Sequence, residues 1–72
     1  EPLFGNLLAL DDAMTALGAM DERKAAIVEM RYFGGMTAAE IGSALGIAPV
    51  TVQRELRSAT AWLRSRLGSA EQ

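Results

Sequence analysis

The residues best suited to chemistry crowd into one stretch. From Pro49 to Ala59 the chain reads PVTVQRELRSA, which places Thr51, Gln53, Arg54, Arg57 and Ser58 within eight positions. An arginine can donate two parallel hydrogen bonds to guanine O6/N7, and a glutamine can pair with adenine N6/N7. Hydroxyl groups reach phosphate oxygens. These groups recognise rather than transform. The chain has no histidine and no cysteine, which removes the usual general base and the usual metal ligands. Glycine-rich phosphate loops are absent from the sequence. Asp11 and Asp12 are sequence neighbours on a helix, so they point in different directions and read as solvated surface. The residues predict no enzyme, no metal and no cofactor.

Charge placement singles out the same stretch. The net charge is −2, which by itself argues mildly against a polyanion as partner. Residues 1–47 hold seven acids against three bases, whereas residues 48–68 hold Arg54, Arg57, Arg64 and Arg66 against Glu55 alone. The local distribution says more than the total.

Four helical segments are needed to position these groups. The first runs from about Asn6, a plausible N-cap, to Ala19, with Leu7, Leu10, Met14 and Leu17 on one face. The second runs from about Asp21 to Phe33. Its apolar stripe is Ile27, Met30 and Phe33, and Gly34-Gly35 end it. The third opens on TAAE, where Thr37 and Glu40 have capping-box spacing, and Gly46 closes it. The fourth starts at Pro49, whose missing N–H would be unpaired there anyway, and continues to about Leu67 or Gly68. Val52, Leu56, Ala59, Leu63 and Leu67 form its buried stripe. The methionines at 14, 20, 30 and 36 read as core filler. Trp62, at the edge of the stripe, reads as boundary packing. The expected class is all-α: a four-helix domain ending in a helix-turn-helix over about 37–68.

In that unit Ile47 is expected to tuck between the helices. Gly42, unfavourable in mid-helix by about 1 kcal/mol, is expected to let the fourth helix cross closely near Val52. Opposite the stripe lie Val50, Arg54, Arg57, Ser58, Ala61 and Ser65, flanked by Gln53 and Thr51. Arginines on an outer helix face are ordinarily just solvated, and two helices with a turn can serve packing alone. Three coincidences weigh against that: the turn length, the bases on the second helix and the acids elsewhere. Glu55 could accept from cytosine N4 or pair with arginines near it; pairing is the expectation.

The segment MRYFGGMTAAEIGSALGI, followed by PVTV and then AWLRSRL, resembles region 4 of bacterial sigma factors of the extracytoplasmic-function type. The resemblance covers about Leu10 to Leu67. It implies recognition of the promoter −35 element and docking on the flap of the RNA polymerase β subunit, with an anti-sigma factor as a further partner it allows. It implies that Gln53, Arg54, Arg57 and Ser58 face the bases and that Thr51 meets phosphate. It also implies an Arg31–Glu40 pair tying the second helix to the third. Ala48, where a serine cap is common, Gly42, where alanine is usual, and Thr60, where a base is frequent, depart from the pattern.

Two other readings fit the frame. One is a LuxR/GerE-type response-regulator domain, which would bind paired half-sites as a dimer. The other is a helical protein-interaction module without DNA binding. RYFGG and the trailing AWLRSRL favour the sigma resemblance. The 72 residues are expected to form one domain, 1–72, of a longer chain, since they begin with Glu1. No segment has the roughly 18 apolar residues of a membrane span, and a bacterial cytoplasmic location without membrane partners is expected.

Overall fold

The computed structural model describes residues 7–69 of the 72. Helix α1 spans Leu7–Met20, α2 Glu22–Val28, α3 Ala38–Leu45 and α4 Pro49–Ser69. Between α2 and α3 lies a π-helical turn, Glu29–Phe33. Among the described residues there is no strand, and the domain is all-α as expected. Asn6, the expected first cap, lies outside the described residues.

Local chemistry explains several of the helix ends. Asp21 accepts a hydrogen bond from the Lys24 backbone N–H at 3.1 Å and caps α2. At α3 the capping box is complete. The Glu40 N–H donates to Thr37 Oγ1 at 3.1 Å, and the Thr37 N–H donates to Glu40 Oε1 at 2.8 Å. Two donors that a helix start would leave orphaned are thereby satisfied. At the other end Gly46 takes a left-handed φ of 73°. The Ile47 N–H then reaches back to the Gly42 carbonyl at 3.0 Å, the six-to-one bond of a Schellman ending. Helix α4 restarts at Pro49, and the Ala48 carbonyl accepts from the Thr51 and Val52 N–H groups at 3.0 and 3.1 Å.

Side chains are buried in two clusters. The larger joins α1, α2 and α4 through Leu10, Ala13, Leu17, Ala25, Val28, Ala59, Leu63 and Leu67, with Met14 and Trp62 packed on its margin. The smaller consists of Ile27, Ile41 and Val52, fringed by Met30, Met36, Leu45 and Ile47. Leu56 packs against both. The predicted α4 stripe is therefore the wall that unites the two cores.

Three expectations change. The second helix is not α-helical throughout. At Glu29 the register widens, and the Gly34 N–H bonds to the Glu29 carbonyl, five residues back. Wider turns break the three-and-four spacing on which the apolar stripe rested. Ile27 is buried and Met30 half-buried, but Phe33 is rotated out and 61% exposed. Met20 is 60% exposed and is not core filler. Gly42 is buried, but what it accommodates is the turn backbone rather than Val52. A β-carbon there would lie 2.5 Å from the Ile47 carbonyl oxygen and 3.4 Å from the Pro49 nitrogen.

Candidate nucleic-acid interface

The candidate residues occupy two turns at the N-terminal end of α4, directly after the Gly46 turn. At about 100° per residue, Gln53, Arg57, Arg54, Ser58 and Thr51 follow one another around the side opposite Val52. Gln53, Arg54, Arg57 and Ser58 are exposed, and Thr51 is half-buried. With a rise of about 1.5 Å per residue, this edge is about 10 Å long. Val52, Leu56 and Ala59 anchor its back to the cores. Among the described residues, the side chains of Gln53, Arg54 and Arg57 engage in no ion pair or hydrogen bond within the molecule. Their donors are available to an external acceptor. Val50, at the tip of α4, is 59% exposed and adds an apolar group of the kind that contacts a thymine methyl.

Glu55 pairs as expected, but not with its neighbours. Arg54 and Arg57 stand one and two residues away, separations that do not face each other on a helix. The positions that do, Thr51, Val52, Ser58 and Ala59, carry no positive charge. The partner comes from α2. Arg23 Nε donates to Glu55 Oε1 at 3.1 Å, and a second guanidinium nitrogen donates to Oε2. The Arg23 hydrogen bonds hold the Glu55 carboxyl below its ordinary range. The same pairing raises the Arg23 guanidinium. Sequence reading missed Arg23 because 32 positions separate it from Glu55, and no local spacing signals such a pair.

The Arg31–Glu40 pair implied by the resemblance is not formed. Glu40 spends its carboxylate on the capping box, and the Arg31 guanidinium sits over the Tyr32 ring, 5.9 Å from its centroid. Farther along α4, Trp62 packs on the larger core as expected, and Arg66 covers its ring at 5.4 Å. Arg66 stays exposed while its guanidinium lies over the ring face, a cation–π contact between neighbours one turn apart. Among the described residues no group of three or more acidic, histidine or cysteine side chains could hold a metal, and no helix is long and apolar enough to cross a membrane.

A second exposed feature lies away from the α4 edge. Leu10, Met14 and Phe33 line a groove between α1 and the π turn, with Asp11 and Glu29 beside them. Its apolar lining and acidic flanks contrast with the arginine-rich edge of α4.

Comparison with known proteins identifies one family. The family model described as ECF sigma factor matches residues 4–69. No curated protein and no solved structure matches the chain.

Proposed function

The chain belongs to the ECF sigma factor family, and from that premise we propose that it is the region 4 domain that recognises the promoter −35 element. Membership makes transcription initiation its field of action and RNA polymerase and promoter DNA its partners. The finer reading is that α3, the Gly46 turn and α4 form a helix-turn-helix that lays the start of α4 in the major groove. Arg54 and Arg57 then donate to base edges, Gln53 pairs with a base, Ser58 extends the edge and Thr51 meets phosphate. The observation that carries this reading is the exposed, unpaired Gln53–Arg54–Arg57 edge on a helix whose back is locked into both cores.

The domain has no catalysis of its own in this reading. It works in the bacterial cytoplasm, where its affinity is supplemented by the polymerase that carries it. A single module of this size buries about 600–1,000 Å² on DNA, so tethering to polymerase raises its effective concentration. Docking on the β-subunit flap, and on any anti-sigma factor, is assigned to the Leu10–Met14–Phe33 groove, which an apolar anchor flanked by basic residues would suit. The two surfaces differ in chemistry and in the elements that carry them, α4 for DNA and α1 with the π turn for protein.

The test is selection of duplexes by the complete protein on core RNA polymerase, followed by titration of the selected site. Arg54→Ala and Arg57→Ala should each cost about 1–3 kcal/mol of binding and relax preference at one base position. Folding should be unchanged, because neither side chain has an internal partner. Unaltered affinity at low salt would remove both residues from the reading edge.

A further inference from the structure

Glu55 is the only acid on α4, and it stands at the border of the proposed DNA face. In rotation about the helix it falls about 40° from Thr51 and about 60° from Ser58. An unpaired carboxylate there would swing toward the phosphates it repels and toward bases that the neighbouring residues read. The structure holds it elsewhere. Both carboxylate oxygens are engaged by the Arg23 fork, a two-bond geometry that fixes the side chain as well as its charge. The Glu55 side chain is 16% exposed, whereas that of Arg23 is 48% exposed. The acid is tucked between helices and the base lies outside it. Lys24 and Asp21, at the same end of α2, pair with each other at 3.2 Å and leave Arg23 to Glu55.

We propose that Arg23, on a helix outside the helix-turn-helix, is a positioning residue for DNA recognition: it holds Glu55 against α2 and keeps the one carboxylate of α4 off the reading edge. This rests on α4 being the DNA-facing helix. Loss of Arg23 therefore harms binding through the acid it releases, so removing that acid as well restores binding. A residue that merely packed, or that touched phosphate itself, would not be rescued in this way.

The experiment compares wild type, Arg23→Gln, Glu55→Gln and the double variant, each as the complete protein on core polymerase, titrated with the duplex that wild type selects. Arg23→Gln should bind about tenfold more weakly, Glu55→Gln at least as tightly as wild type, and the double variant within about twofold of wild type. Thermal unfolding of each variant checks that the fold persists. Unchanged affinity in Arg23→Gln overturns the proposal, as does a double variant no better than that single one. Weakened binding by Glu55→Gln also overturns it, since Glu55 would then be a reader itself. Failure of wild type to select any sequence is a different outcome, which strikes the promoter reading and not this pair.

Discussion

Around the turn, the fully buried side chains are Ile27, Ile41 and Val52, all β-branched. Beneath α1 the buried set is mostly leucine and alanine: Leu10, Ala13, Leu17, Ala59, Leu63 and Leu67, with Val28 and Ala25. Branching at the β-carbon restricts the first side-chain torsion, so the small cluster can hold α3 and α4 at one mutual angle with few atoms. The larger cluster instead brings three helices close and supplies more of the buried apolar area, which is where stability originates. Size and duty are thus divided. The large core holds α4 to α1 and α2 and supplies most of the buried residues, and the small one fixes the start of α4 against α3.

The strongest way to break that division is to damage each core equally. Ile41→Ala and Leu63→Ala should each destabilise by about 2–5 kcal/mol, a large part of what so small a domain possesses. Measured by chemical denaturation, the two losses should be similar. Measured as DNA affinity under cold conditions where both remain folded, only Ile41→Ala should fall. Equal loss of binding would erase the distinction between the cores.

A glycine in each region gives the next contrast. Gly42→Ala should destabilise by about 1–3 kcal/mol despite the better helix propensity of alanine, because its β-carbon meets turn backbone that must shift. Gly18→Ala should stabilise by a few tenths to about 1 kcal/mol, since the nearest atom to its β-carbon would be Ala25 Cβ at an ordinary 3.8 Å. Thermal unfolding of the pair reads both signs at once. Smaller still, Thr37→Ala should cost about 1 kcal/mol through loss of the α3 cap, with fraying of α3 visible as faster amide exchange at Glu40.

Acid should produce the mildest effect, and it concerns α2, which serves both cores. The Lys24 backbone N–H and then its ammonium group hold Asp21 below its ordinary value, and Arg23 does the same for Glu55. A carboxylate with a lowered folded-state pKa contributes stability that is complete above its unfolded value and vanishes as pH falls through the folded one. The unfolding midpoint should therefore be level above about pH 5 and decline below about pH 4. Asp21→Asn and Glu55→Gln should each flatten that decline.

The identity of the helices was legible because their signals are local. A capping box needs residues three apart, a left-handed ending needs one glycine, and a buried stripe needs a repeat of three and four. Each is satisfied within a few residues of chain, so Thr37, Glu40, Gly46 and the α4 stripe could be read directly. The exposed positions of Gln53, Arg54 and Arg57 followed from the same arithmetic once Val52 was taken as buried. Phe33 could not be read this way, because one widened turn after Val28 rotates everything beyond it, and glycine at 34 and 35 ends an α-turn or a π-turn alike.

What the sequence by itself determined is the four helical segments, both ends of α3, the start of α4 and the face of α4 left exposed, since backbone hydrogen bonding and helical periodicity act over a turn or two. The tertiary structure alone decided which groups spend their charge on one another. Glu55 found Arg23 on another helix, and the Arg31 that the resemblance set beside Glu40 lies over the Tyr32 ring instead. A carboxylate takes the donor that packing brings within about 3 Å, and that distance is set by how the helices cross.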